Sequence, residues 1–210
     1  MLLRHNVYET LRADILACRI APGEEIREQE LASRYEVSRQ PVREALLRLE
    51  QGRLVTVSPR QGYRVNPISV SDARDIFRFR LVLEPACAVA AAESMETERL
   101  AELDAFRSFD AEQDFIEYNR AFHCALAHAS GNARMAAAAC DLIEQADRLV
   151  RISLSAIKGR DPTELVKEHI AIIDAIQFRE ARKAKRLVQA HVAEAEKRVL
   201  SALSRSAVIA

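Results

Sequence analysis

The 210-residue chain holds 31 basic and 31 acidic residues and is 49% hydrophobic, enough apolar material to build real cores. No apolar run approaches the roughly 20 residues of a membrane-crossing helix. The N-terminus, Met1-Leu2-Leu3-Arg4-His5-Asn6, is too short and too quickly charged for a secretory signal, so a cytoplasmic location is expected. The four cysteines (Cys18, Cys87, Cys124, Cys140) are widely spaced with no CxxC pair. They are expected as buried small apolar residues, not as a disulfide framework.

A first helix is expected over Arg4 to Cys18. A short helical pattern follows from Glu28 to Tyr35, with Leu31 and Ala32 on its inner face, then a tight break at Glu36-Val37. The next helix opens at Ser38, a good N-cap type, with Pro41 in its first turn and Val42, Ala45, Leu46 and Leu49 at helical spacing. Two helices joined by so short a turn make a helix-turn-helix. Arg39, Gln40 and Arg43 stand on the solvent side of the second helix near its N-terminal end, where a recognition helix meets bases and phosphates.

Beyond Gly52, Leu54–Val57 and Tyr63–Val65 read as strands joined by a turn at Pro59-Arg60-Gln61-Gly62, a hairpin wing. Arg60 and Gly62 fall at its tip, where a basic side chain and a bare backbone can approach a phosphate. Residues 1–68 hold eleven arginines, no lysine and nine acidic residues, a positive excess of two. The sum is small; its placement is informative, since Arg39, Arg43, Arg48, Arg60 and Arg64 fall on the recognition helix and wing. The planar fork of arginine suits both guanine and phosphate.

Residues 1–66 therefore read as a winged-helix DNA-binding domain, 67–70 as a linker, and 71–210 as an all-α domain; the fold class is mainly α. Ser69 or Ser71 caps a new helix, and helices are expected over 71–93, 97–107, 110–129, 132–155, 162–177 and 180–203. The clearest breaks are Gly131-Asn132 and Gly159-Arg160-Asp161-Pro162. Pro85 lies inside the first of these helices and predicts a kink or interrupted turn near Arg80-Leu81.

Three of the five histidines sit inside apolar helical stripes: His123 with Phe115, Phe122 and Leu126; His169 with Val166, Ile170 and Ile173; His191 with Leu187, Val188 and Ala195. One such histidine is usually a satisfied core residue. Three on separate helices each need a hydrogen-bond or metal partner. Asn119 lies one turn before His123 on the same face, so Asn119, His123, His169 and His191 are candidates to close around one divalent ion, with imidazoles suiting zinc, nickel or iron. His128 reads as a surface or helix-end residue. Cys124 points away from His123 and reads as a buried thiol, with a redox switch as the alternative. The basic cluster Arg182 to Arg186 reads as a solvated face, with DNA contact as its alternative.

Val37-Ser38-Arg39-Gln40-Pro41-Val42-Arg43-Glu44-Ala45-Leu46 resembles the winged-helix signature of GntR-family bacterial transcription regulators, and Ala21-Pro22-Gly23-Glu24 and Val7–Leu11 resemble the same family's entry loop and first helix. Gln40 replaces a common threonine, Leu47 a common arginine, and the Gln51-Gly52-Arg53 glycine is displaced by one position. Arg80–Glu84, Asn119–His123, Gly131-Asn132, Glu168–Ile176 and His191 resemble the FCD ligand-binding domain of FadR-type members. The resemblance implies a metal on the three histidines, with Asn119, a neutral oxygen donor, where many members have aspartate. It implies effectors that are small carboxylates touching the metal and a nearby arginine, for which Arg80 is the candidate; an ion pair with Glu84 is the competing role.

The leading reading is a ligand-responsive DNA-binding transcription regulator, a repressor by resemblance. It would act as a homodimer on a palindromic double-stranded operator, because one short recognition helix reads few bases. Ser38, Arg39, Gln40, Pro41, Arg43, Arg48, Arg60 and Gly62 form the expected DNA-binding set, and a zinc or nickel ion the expected cofactor. The rival reading is a metal-dependent enzyme on the helical bundle with a DNA-binding appendage. A third has the bundle serve dimerisation alone. No nucleophile elbow, phosphate loop or HExxH motif is present.

Overall fold

The structure is a computed structural model that describes residues 2–59, 61–110, 112–156 and 163–205. It divides into two compact units, one over Met1–Ile68 and one beginning at Ser69. The expected break at 159–162 and the wing residue Arg60 lie outside the described residues.

The first unit begins with α1 (Leu2–Leu16), followed by a short strand β1 (Glu25–Ile26), α2 (Glu28–Arg34), α3 (Arg39–Gln51), β2 (Val55–Ser58) and β3 (Gly62–Val65). Its core joins Val7, Leu11 and Ile15 of α1 to Val42, Leu46 and Leu49 of α3 and to Val55 and Val65 of the strands. These are the apolar stripes that the helical and alternating patterns predict. The α2–α3 turn closes with Val37 N–H donating to Ala32 O at 3.0 Å, and Glu36 takes the left-handed conformation (φ 53).

Three details depart from the sequence reading. Ser38 occupies the N-cap of α3 with extended backbone, but its hydroxyl makes no capping bond. The wing is a three-stranded antiparallel sheet, ordered β1-β3-β2, because β1 pairs Glu25 with Arg64 and Ile26 with Tyr63. A two-residue strand is too short to show alternation. Finally, the displaced glycine has a consequence: Gly52 is right-handed (φ −77), and the left-handed residue that ends the helix is Arg53 (φ 57).

The second unit is wholly helical among the described residues: α4 (Val70–Ser94), α5 (Thr97–Ala101), a 3-10 turn (Glu102–Phe106), α6 (Phe115–His128), α7 (Ala133–Ala156), α8 (Thr163–Gln177) and α9 (Ala181–Arg205). Ser69 caps α4 by accepting from Asp72 N–H at 3.1 Å. Asn132 caps α7 by accepting from the N–H groups of Arg134 and Met135, with Gly131 at φ 70 turning the chain before it.

Two expected helices are shorter than their patterns. The 97–107 segment changes to 3-10 geometry after Ala101, and the 110–129 helix starts only at Phe115. There Asp114 is the N-cap, accepting from Ile116 N–H at 2.8 Å. Pro85 does not interrupt α4, which keeps helical assignment from Val70 to Ser94. The cysteines also depart from expectation: only Cys87 is buried, while Cys18, Cys124 and Cys140 are partly exposed. The cluster from Arg182 to Arg186 exposes each of its basic residues, as a solvated face should.

Candidate functional site

The first candidate surface lies at the N-terminal end of α3. Inward-facing Val42, Ala45, Leu46 and Leu49 anchor the helix, which leaves Arg39, Gln40 and Arg43 on its outer side. The Arg39 and Arg43 side chains are 58% and 50% exposed, and both reach the same carboxylate, Glu28 at the start of α2. Arg43 grips it with two nitrogens, at 2.9 and 2.8 Å, and Arg39 with one at 3.3 Å. The Arg43 hydrogen bond comes first among the effects that hold the Glu28 carboxyl below its ordinary range. Gln40 donates to Glu44 at 2.9 Å along the same helix. These exposed contacts are weak individually and exchangeable for other oxygen acceptors.

The other residues of the expected DNA set divide. Ser38 is exposed beside Arg39, whereas Pro41 is buried and shapes the first turn. Arg48 stands in the last turn of α3, with its guanidinium 3.6 Å from the centroid of the Tyr8 ring. Gly62 is required by the fold itself: its φ is 109, and a Cβ there would meet Ile26 O at 2.7 Å. The bare backbone at the wing therefore serves the close approach of β1.

A network around one buried carboxylate supports this unit from behind, with its two arginines half exposed. Asp14 on α1 accepts from Arg19 Nε at 2.7 Å and from the Tyr35 hydroxyl at 2.8 Å, with Arg34 at 3.3 Å. Burial alone would raise the Asp14 carboxyl; the Arg19 and Tyr35 hydrogen bonds and the two arginine charges outweigh it and leave it lowered.

The second site lies in the helical unit. His123 on α6, His169 on α8 and His191 on α9 are 1%, 0% and 5% exposed, and one ring nitrogen of each lies within 4.8 Å of the others. Each ring is oriented. His123 Nδ1 lies 2.6 Å from Glu84 Oε2, and His191 Nδ1 lies 2.6 Å from Glu168 Oε2. His169 stacks on Phe122 with ring centroids 3.9 Å apart, and its Nδ1 lies 3.4 Å from the Tyr118 oxygen.

These partners fix the tautomers. Burial would raise the Glu84 carboxyl, but Arg80 and His123 together hold it well below the usual carboxylate range, so it can only accept. The Tyr118 hydroxyl donates to Phe106 O at 2.7 Å, so toward His169 its oxygen accepts as well. In each histidine Nδ1 therefore carries a proton, and in His123 and His169 Nε2 keeps a lone pair. Burial pushes His123 down to about 4 and His169 well below its ordinary range, so neither is protonated at neutral pH.

Three buried Nε2 atoms then share one spot. His123 Nε2 and His191 Nε2 are 3.2 Å apart, and His169 Nε2 is buried with no hydrogen bond. One cation among them would satisfy all three. The spacing fits two ligands of one tetrahedral zinc, whose Zn–N bonds of roughly 2.05 Å set neighbouring nitrogens about 3.3 Å apart.

Beside the cluster is a small cavity of about 40 Å³, lined by His123, His191, Asn119, Arg80, Ser153 and Arg198 among others. Arg80, the expected effector arginine, thus borders the cavity, but its Nε is committed to Glu84 at 2.5 Å with both side chains buried. The ion pair with Glu84 is therefore present, and it leaves Arg80 at the cavity wall. Glu84 thereby links Arg80 to His123, a role that its helical spacing from Arg80 does not reveal. Arg198, seven residues after His191 on the same face of α9, was not singled out by the sequence reading; its i+7 spacing from a buried histidine was the available signal.

Comparison with known proteins places the two units in known domain families. Residues 3–65 match the family model "Bacterial regulatory proteins, gntR family", and residues 75–194 match the FCD domain. The chain is 31% identical over 201 residues to the HTH-type transcriptional repressor RspR of Escherichia coli, covering 91% of this chain and 86% of that protein. It is 29% identical over 201 residues to the HTH-type transcriptional repressor GlaR of Escherichia coli, covering 88% of this chain and 90% of that protein. A putative GntR transcriptional regulator from Rhodococcus superposes with a TM-score of 0.78 at 24% identity, covering 96% of this chain and 99% of that one. The Escherichia coli McbR/YncC structure superposes with a TM-score of 0.76 at 21% identity, over 91% and 94% of the two chains. These two likenesses bear on the fold alone.

Proposed function

Since this chain belongs to the GntR family of transcription regulators, as a ligand-responsive DNA-binding member with an FCD domain, we propose that its helical unit is a metal-dependent sensor of small carboxylates. The observation that carries this reading is the convergence of three buried imidazoles, each oriented by a partner on its Nδ1. His123, His169 and His191 would hold a divalent ion, zinc or nickel, and Asn119 would supply a neutral oxygen beside it. The ion supplies a positive centre for an anionic ligand. Arg80 orients Glu84, and Arg198 adds positive charge to the cavity wall. The space accommodates an ion and a water or two, so a larger effector must spread the surrounding helices. A ligand that favours one helix arrangement over another shifts the population accordingly.

At the DNA face, Arg39, Gln40 and Arg43 would read the major groove, with Ser38 beside them and Arg48 and Arg60 contacting the backbone. The protein would act in the cytoplasm as a homodimer on a palindromic operator, with repression relieved by effector. Repression is supported by the names of RspR and GlaR. The enzyme reading needs a general base beside the metal; the two carboxylates of the cluster, Glu84 and Glu168, are each engaged by an imidazole.

Elemental analysis of the purified protein tests the sensor reading. About one metal ion per chain is expected, lost in both His123→Ala and His169→Ala. A wild-type protein that stays metal-free after incubation with zinc and with nickel would overturn it.

A further inference from the structure

Away from the histidine cluster, α6 and α7 form a helical hairpin around Ala129–Asn132, and each arm carries a partly exposed cysteine, Cys124 on α6 and Cys140 on α7. Cys124 packs against the cluster of Ala136, Ala139 and Ile143, on the face of α7 where Cys140 also stands, so the two thiols face each other across the hairpin. Cys140 Sγ also lies 3.9 Å from Nε2 of His128, an exposed residue one turn beyond Cys124. Cys87 behaves differently: it is fully buried on α4, and burial pushes its thiol up to about 11. The region thus combines two adjacent thiols, access from solvent and a neighbouring imidazole, which are the requirements of a reactive dithiol.

We propose that Cys124 and Cys140 are a modification site: a peroxide-class oxidant converts them to a reversible disulfide that staples α6 to α7. Cys140 attacks one peroxide oxygen. The O–O bond breaks, an S–O bond forms, and the thiol proton, passed by way of His128, leaves with the departing oxygen as water. Cys124 then attacks the resulting sulfenic sulfur. An S–S bond forms, the S–O bond breaks, and the second oxygen leaves as water with the Cys124 proton. The net change is two thiols and one hydrogen peroxide to one disulfide and two waters. His128, 3.9 Å from Cys140 Sγ, can take its proton, which makes Cys140 the attacking sulfur. Cys124 directly follows His123. The staple therefore fixes the helix that carries one edge of the histidine cluster.

Peptide mapping of the full-length protein tests this without relying on any variant. Cleavage after Arg120, Arg134 and Arg148 puts the two cysteines on separate peptides, 121–134 and 135–148. After brief treatment with equimolar hydrogen peroxide and alkylation of the remaining thiols, most chains should yield these peptides linked, two hydrogens lighter than their sum and separable by reductant. The link should vanish in Cys124→Ser and Cys140→Ser and survive in Cys87→Ser. Recovery of Cys124 and Cys140 as singly alkylated peptides while oxidation collects at Cys18, or links only between chains, would overturn the proposal.

Discussion

The two units use charge in opposite ways. At the tip of the winged helix, Arg39 and Arg43 are half exposed and share Glu28, in contacts that water and salt can replace. In the helical unit, Arg80, Glu84 and His123 are sealed from solvent in one chain of hydrogen bonds. On the proposed reading, groups that would leave their partners to meet DNA are kept where leaving is cheap. Groups that must hold a geometry are kept where a lost partner leaves a stranded charge. The difference separates a surface that recognises from a site that is preorganised.

The comparison is broken most severely at Glu84. Glu84→Gln keeps the shape but can donate to His123 Nδ1, which would move the imidazole proton to Nε2 and cancel that lone pair. Metal affinity, measured by competition with a chelator, should fall roughly 10- to 100-fold. Unchanged affinity would mean that the carboxylate does not set the tautomer. A smaller effect is expected at the DNA face: Arg43→Ala should weaken operator binding roughly tenfold and reduce its dependence on salt. Equal operator affinity in a mobility-shift titration would remove Arg43 from the reading set.

Asp14 sharpens the contrast, because it is a buried carboxylate inside the exposed-charge unit. Asp14→Asn should destabilise the winged helix by about 1–2 kcal/mol at neutral pH, read by amide exchange in the N-terminal unit. Its folded pKa is lowered, so its contribution is present above the unfolded value of roughly 3.9 and is lost as pH falls through the folded value. The variant should therefore show a flatter acid limb, and an unchanged limb would assign the wild-type slope to other carboxylates.

Much of this was legible in the sequence because periodicity reports which face of a helix is buried. The stripes around Val42–Leu49 and around the three histidines are of that kind, as is the outward placement of Arg39 and Arg43. What escaped lies across elements. Glu84 meets His123 at a separation of 39 residues and Glu168 meets His191 at 23, distances over which no periodic pattern carries information. Arg80 and Glu84, one turn apart, already had a sufficient local account, which hid the third member of their chain. The late start of α6 was readable in principle, since Asp114 and Glu117 have the spacing of a cap and the acid three residues on, in the helix's first turn.

The sharing of Glu28 by Arg39 and Arg43 has a thermodynamic consequence for DNA binding. A cationic surface usually gains affinity because condensed ions leave the duplex for bulk solution as phosphates are neutralised. Here the arginines begin with a carboxylate counterion of their own, attached to the chain and unable to diffuse away. On the proposed reading, Glu28 would stay beside the duplex after its arginines turn to the bases, and its repulsion of the phosphates would oppose the complex. Glu28 would then act as an internal competitor for non-specific DNA, one that a sequence forming strong base contacts can outbid and a random sequence cannot.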